Sequence, residues 1–334
     1  MVPGYPTRLS CSVTGAGRVL VLPDRCPTGI TIADPRRIRR NRAKRNAYMG
    51  ISQISAVPKS SSLSQDLCQS RPYVVSVSSG KGGVGKTHIV INLAIEMQRR
   101  GLRVLVFDAD LGLSSVPMLL GFAPEYNLSH VLMGSRTMNE VLLEGPEGIQ
   151  IVPGSSGVQE LTALTTEQQL RLICEAEELE DEFDVVLIDT CAGISSNVIF
   201  FNIASQDNIM VVYPEPASFV DAFAMMKVLA IQHHRKRFKL ILNGATDEEE
   251  GRQILDRMVA VSQKSLQISV SCLGVIPQDI HIRKATRVQK AVVDLYPEAV
   301  SSRCFRKMAS KLLESVPKDD FSGSLQLFWK RQTP

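Results

Sequence analysis

Gly80-Lys81-Gly82-Gly83-Val84-Gly85-Lys86-Thr87 is the stretch of this chain best suited to chemistry. It fits GxxxxGK[ST]: glycines let backbone N–H groups face phosphate oxygens, and the start of a following helix adds partial positive charge. Lys86 is placed to neutralise β and γ phosphates, and the Thr87 hydroxyl to ligate Mg²⁺. A merely connecting glycine turn leaves the two lysines and the threonine unexplained. Three carboxylates follow, Asp108, Asp110 and Asp189. A strand-terminal carboxylate near such a loop orients the waters that a hard cation retains. Asp189, closing Val185–Ile188, suits that task. The i, i+2 spacing of Asp108 and Asp110 directs both side chains to one side so long as the chain stays extended.

The elements that must hold these groups are legible as alternation. Tyr73-Val74-Val75-Ser76-Val77 is an apolar run of strand length, and Ile89, Leu93 and Met97 recur at helical spacing after the glycine loop. Further strand-like runs are 103–107, 149–153, 185–188, 208–213, 239–243 and 271–277. Helix-length segments lie between them, among them 166–179, 218–232 and 249–265. Near-continuous apolar strands alternating with helices predict an α/β fold, a mostly parallel twisted sheet with helices on both faces. Ligands of such sheets sit at the carboxyl ends of the strands, where 80–87, Asp108, Asp110 and Asp189 all fall.

At 334 residues, 44% hydrophobic and 22% charged, the chain can bury a sizeable core. It has no apolar run of 18 residues, so a spanning helix is not expected. Residues 1–48 hold ten Lys and Arg against two Asp and Glu, a net +8; the remainder, with 28 against 32, is at −4. Seven of residues 36–45 are basic, which reads as a solvated, unstructured run with some capacity for polyanions or anionic lipid. This leader lacks the apolar segment of a secretory signal, and a start near Met49 stays open. Residues 52–72, rich in Ser, Gln and Pro, read as a linker, with order beginning at Tyr73. Seven scattered cysteines without a CxxC pair suggest neither disulfides nor a zinc site, and the chain reads as cytoplasmic. His233 and His234 have a plain surface role.

Lys81, directly after the first glycine, makes the loop resemble the deviant Walker A motif, KGGVGKT, of the MinD/ParA ATPases. The resemblance implies a P-loop NTPase fold, ATP and Mg²⁺ as cofactors, slow ATP hydrolysis, and an ATP-dependent homodimer in which Lys81 reaches the partner's nucleotide. It further implies that Asp108 and Asp189 meet the metal through water and that Asp110 positions the attacking water. The implied nucleotide contacts are Gly80, Lys81, Gly82, Gly83, Val84, Gly85, Lys86, Thr87 and His88, with Asn243 hydrogen-bonding adenine and 277–279, from Pro277, walling the base pocket. Thr190-Cys191-Ala192-Gly193-Ile194 is similar to switch II; Cys191 reads as a small apolar substitute, since no general base adjoins it.

Within that class, 108–113, 144–149, 151–157, 214–218 and 221–224 resemble the flagellar-number ATPases FlhG/FleN, a likeness running from Tyr73 to the C-terminus. Residues 322–331 resemble the Leu-x-Phe-Phe-x-x-Arg ending of that family. Phe321, Leu325, Phe328 and Trp329 fall on one helical face, the pattern of an interfacial membrane helix that also suits docking on the protein's own core. The domains expected are a basic extension and linker (1–72), the ATPase domain (73–316) and a membrane-targeting segment (317–334). The partners implied are a FleQ-type enhancer-binding activator, the FlhF GTPase, flagellar basal-body components and the inner-membrane surface. The DQAxxLR element through which many FlhG proteins stimulate FlhF has no match before Tyr73, which favours the activator. No specific nucleic-acid binding is expected. The rival reading is a division-site, DNA-partitioning or cargo-positioning ATPase, against which the acidic body argues mildly.

Overall fold

The computed structural model describes residues 72–316, with 156 and 158 excepted. The basic leader and Phe321, Leu325, Phe328 and Trp329 lie outside the described residues. From the amino end come β1 (Tyr73–Ser79), α1 (Lys86–Gln98), β2 (Val104–Ala109), α2 (Val116–Leu120), α3 (Leu128–Leu132), α4 (Met138–Val141), β3 (Leu143–Glu144) and β4 (Gln150–Val152). Then follow α5 (Thr166–Glu177), β5 (Val185–Ala192), α6 (Ser196–Ile203), β6 (Asp207–Val212), α7 (Pro216–His233) and β7 (Arg237–Ala245). The described chain closes with α8 (Glu248–Leu266), β8 (Ser269–Pro277), α9 (Ile280–Arg287), α10 (Val292–Leu295) and α11 (Val300–Glu314).

The eight strands form one sheet in the order β3-β4-β2-β5-β1-β6-β7-β8, parallel throughout except for the β3–β4 pair. The alternation of side chains sorts them between two covered faces. Val75, Val77, Val104, Val106, Val185, Leu187, Ile209 and Val211 pack with α1, α10 and α11. On the other face Val74, Leu105, Phe107, Val186 and Ile188 meet α3, α5 and α6, while Met210 and Val212 meet α7 and α8. This is the α/β arrangement expected from the apolar runs. The chain leaves β1 for β2 on one side and later passes to β6 on the other, so the crevice at the carboxyl ends opens beside β1.

Helix limits follow local chemistry. α8 starts at Asp247, whose carboxylate accepts from the Glu250 N–H at 2.8 Å, with three glutamates in its first turn to complement the helix dipole. α7 ends on His233, and exposed His234 takes the left-handed cap position, φ 56°, a surface role as expected. Asp279 joins α9 to α11: it accepts from the His281 N–H at 2.9 Å, the Ser301 N–H at 3.0 Å and the Ser301 hydroxyl at 2.7 Å. Those hydrogen bonds outweigh its partial burial and hold its pKa down at about 2. A depressed carboxylate stabilises the fold above its unfolded pKa and loses that contribution as pH falls through the folded value. Asp279→Asn should therefore cost about 1–2 kcal/mol at pH 7 in urea unfolding. The gap from wild type should close as pH falls from about 4 to about 2, the span between the unfolded and folded values.

Candidate nucleotide-binding site

The loop between β1 and α1 is held from below and from the side. The last strand residue, Ser79, donates from Oγ to the Lys81 carbonyl at 2.6 Å and accepts from Lys86 Nζ at 3.0 Å. Gly85, at φ 93°, caps α1 in the left-handed region, where a side chain is strained; a Cβ there would also strike the Asn243 amide. A Cβ on Gly80 would overlap the Asp221 backbone of α7, so the loop can lie on that helix only as glycine. The first intrahelical bond of α1 is Ile89 N–H to Gly85 C=O at 3.1 Å, leaving the N–H groups of Lys86, Thr87 and His88 without an intrahelical acceptor. They form the anion-binding end of a thirteen-residue helix. Burial pushes the Lys86 pKa down, countered by the carboxylates of Asp189 and Asp110; burial likewise lowers the His88 pKa.

The carboxylates come together through strand register. Asp108 of β2 lies directly beside Asp189 of β5, both on the face turned towards α1. Thr87 donates from its hydroxyl to Asp189 Oδ2 at 2.7 Å and meets the Ser115 hydroxyl at 2.8 Å. Asp108 accepts from the Ser114 hydroxyl at 2.7 Å, from the Ser115 and Val116 N–H groups at 3.1 Å each, and from the Asp110 N–H at 3.1 Å. Burial raises the pKa of both, and the Asp108 charge raises that of Asp189 further. Asp189 Oδ1 is one of two buried side-chain atoms left without a partner among the described residues. A buried, orphaned acceptor in a doubly acidic corner beside a hydroxyl fits a hydrated cation. No three His, Cys, Asp or Glu side chains among the described residues converge to grip an ion directly, so the donor set suits Thr87 with carboxylates acting through water.

Asp110 departs from the simple geometry. The strand stops at Ala109 and the chain turns, with the Asp110 N–H folded back on Asp108 and Asp110 Oδ1 accepting from the Leu113 N–H at 3.1 Å. The extended spacing does not persist, and the two side chains do not simply share a side. Asn243 reaches the loop, donating from Nδ2 to the Val84 carbonyl at 2.7 Å, and it is followed across the β7–β8 pairing by Pro277, opposite Ala245. Asp279, grouped with that wall in the sequence, spends its carboxylate on α9 and α11. Lys81 forms an ion pair with Glu215, the residue before α7, and keeps 45% side-chain exposure. Cys191 is half-buried, and burial raises the pKa of its thiol. Sequence reading gave no role to Ser79, Ser115, Glu215 and Asp221: Ser79 adjoins the loop motif, and Glu215 and Asp221 lie in the 214–218 and 221–224 stretches, but the contacts of Ser115, Glu215 and Asp221 are distant in sequence. Among the described residues no helix is long and apolar enough to cross a membrane.

The fold and site are those of a P-loop ATPase of the deviant Walker A class. The AAA_31 family model, an AAA domain, matches residues 73–243. Antiactivator FleN of Pseudomonas aeruginosa is 38% identical over 258 residues, covering 77% of this chain and 92% of that protein. Flagellum site-determining protein YlxH of Helicobacter pylori is 28% identical, covering 77% and 88%. Among solved structures, the septum site-determining protein MinD of Pyrococcus horikoshii complexed with Mg-ADP superposes with a TM-score of 0.59 at 25% identity, covering 72% of this chain and 96% of that one. The chain belongs to the MinD/ParA-type ATPases, close to FlhG/FleN.

A carboxyl group whose folded pKa is raised favours the fold at low pH and loses that contribution as pH rises through the folded value. In EDTA at pH 8, Asp189→Asn should therefore melt above wild type by roughly 2–4 °C, about 1 kcal/mol. The difference should vanish at pH 4, where the wild-type group is protonated. A wild type equally stable with ionised Asp189 would show the corner to be already compensated.

Proposed function

We propose that this protein is an ATP-dependent switch of flagellar number and flagellar gene expression. ATP and Mg²⁺ join two copies face to face; the joined form restrains a FleQ-type enhancer-binding activator and associates with the inner-membrane surface; hydrolysis, slow as in a timing device, separates the copies. The observation that supports it most is the 38% identity to Antiactivator FleN across 92% of that protein, with the Flagellum site-determining protein YlxH as a second flagellar relative.

The residues divide the work. Gly80–Gly85 and the free N–H groups at the start of α1 receive phosphate oxygens, and Lys86, released from Ser79, neutralises the β and γ charges. When bound, Mg²⁺ draws charge from the phosphate oxygens; Thr87 is its ligand, and Asp108 and Asp189 orient its waters. Asp110 positions the attacking water from the turn after β2. Lys81 exchanges its own-chain partner Glu215 for the nucleotide of the second copy, so dimerisation breaks one exposed ion pair and forms a more buried one. Asn243 and Pro277 flank the base. Residues 73–316 act as the ATPase domain, 317–334 as the membrane segment through Phe321, Leu325, Phe328 and Trp329, and 1–72 as an extension. FlhF and basal-body components are further partners.

Gel filtration with and without ATP and Mg²⁺ tests the switch. Wild type should shift from monomer to dimer with ATP and return as nucleotide is consumed. Lys86→Ala should neither bind nucleotide nor shift. Asp110→Ala should stay dimeric with its turnover lowered by roughly 10²-fold or more, the usual contribution of a group that handles the attacking water. An Asp110→Ala protein that stays monomeric with ATP sinks the assignment. Unchanged filament counts in a deletion strain would instead move the output to division-site or cargo positioning.

A further inference from the structure

Thr190 follows Asp189 in β5, so its side chain points to the opposite face, towards α6. There a line of polar side chains crosses an otherwise apolar core. Asn208 of β6 donates from Nδ2 to Ser76 Oγ at 2.8 Å; Ser76 donates to Asn202 Oδ1 at 3.0 Å; Asn202 donates from Nδ2 to Ser78 Oγ at 2.8 Å. Ser78 and Thr190 meet at 2.8 Å, and Thr190 donates to the carbonyls of Val77 and Cys191, each at 3.1 Å. Arg235 Nε feeds the far end, 3.4 Å from Asn208 Oδ1. Asn202 spends its second amide proton on the Val198 carbonyl at 2.7 Å, so both of its N–H donors are used, one on Ser78 and one on its own helix. The line runs unbroken from Arg235 to the backbone of Cys191.

All five side chains are fully buried or nearly so, Thr190 at 1% and the rest at 0% exposure. Apolar residues of similar size would fill that space at no loss of burial, whereas each polar group costs free energy unless bonded. What a satisfied network adds is a fixed separation between the elements it joins. Here those elements are β1, which runs into the phosphate loop, and α6, which begins after the 193–195 turn that closes β5. That turn is tied to the loop by one further bond, Gly193 N–H to the Ser79 carbonyl at 2.9 Å.

We propose that Asn202 is a positioning residue for turnover: through Ser78 and Thr190 it sets the height of α6, and hence of the 193–195 turn, over the phosphate loop. The proposal rests on the ATPase reading above but concerns residues that touch neither phosphate nor metal. Thr190→Val keeps the volume and removes only the hydroxyl at the end of the line; Thr190→Ser restores it; Asn202→Leu removes the centre. Steady-state hydrolysis should show Thr190→Val and Asn202→Leu lowered about tenfold in kcat with KM for ATP within about twofold, since a small displacement of a turn at the reacting centre costs rate more than binding. Thr190→Ser should keep wild-type kcat. In the nucleotide-free protein, hydrogen exchange over 190–203 should quicken in Thr190→Val and not in Thr190→Ser. Should Asn202→Leu fail to fold, the Thr190 pair decides. Wild-type kcat and exchange in Thr190→Val, with a lowered melting point alone, overturn the proposal and leave the ATPase reading standing. A wild type that binds no ATP overturns both.

Discussion

Two acids forced side by side in a dry corner are the constraint from which the rest of this site follows. Asp108 and Asp189 are paired residues of neighbouring parallel strands, both on the α1 face. Neither strand can move to relieve them. A slip of one residue would carry Val104 and Val106 of β2 out of the core they share with α1 and expose the opposite set to it. The apolar register therefore fixes the carboxylates, and their mutual repulsion makes a cation or a proton necessary whenever the corner is closed. Asp108 finds partial relief in four donors from its own turn, whereas Asp189 keeps one oxygen bare. The asymmetry separates them: the Asp108 carboxylate gathers the turn that carries Asp110 and Ser115, and Asp189 keeps the unpartnered oxygen that a hydrated cation would fit.

The two lysines of the loop answer different charges. Lys86 is buried in the fold, and burial lowers its pKa against the opposing pull of Asp189 and Asp110. Lys81 stands at the surface and uses Glu215, whose side chain is 33% exposed, as its partner. An ion pair that open to water contributes little to stability. It is therefore a pair readily given up, as the proposed reach of Lys81 to a second copy would need, whereas Lys86 is buried and bonded to Ser79.

The sheet was legible because its strands are apolar on both faces, a pattern that short amphipathic elements cannot imitate. The helices expected over 166–179, 218–232 and 249–265 lie within two residues of α5, α7 and α8. Two-residue β3 carries no periodicity and α10 is a single turn, whereas α11 repeats Cys304, Phe305, Met308, Ala309 and Leu312 at helical spacing, a signal that was there to be read. The loop was readable because its chemistry is local: glycine, lysine and threonine within eight residues. What stayed hidden depends on contacts distant in sequence. Glu215 lies 134 positions from Lys81, and Asp221 is a neighbour only because Gly80 lacks a side chain. The bend after Ala109 was concealed for a related reason, since it is the Asp108 carboxylate, drawn inward by register, that gathers the N–H groups of 110, 115 and 116.

The two faces of β1 show how such a protein can be both well packed and movable. On the α1 face Val75 and Val77 are apolar until the strand ends at Ser79; on the α6 face Ser76 and Ser78 replace apolar residues after Val74. Apolar contact is strong but has no direction, so a short helix resting on grease alone can slide by a fraction of its pitch at small cost. Hydrogen bonds fix lengths within a few tenths of an ångström and fail abruptly when stretched. α6 has eight residues and follows directly on the turn that senses the loop. A polar seam beneath that one helix therefore resists the small slides that apolar packing alone would allow, and holds the turn before it at one distance from the phosphate loop.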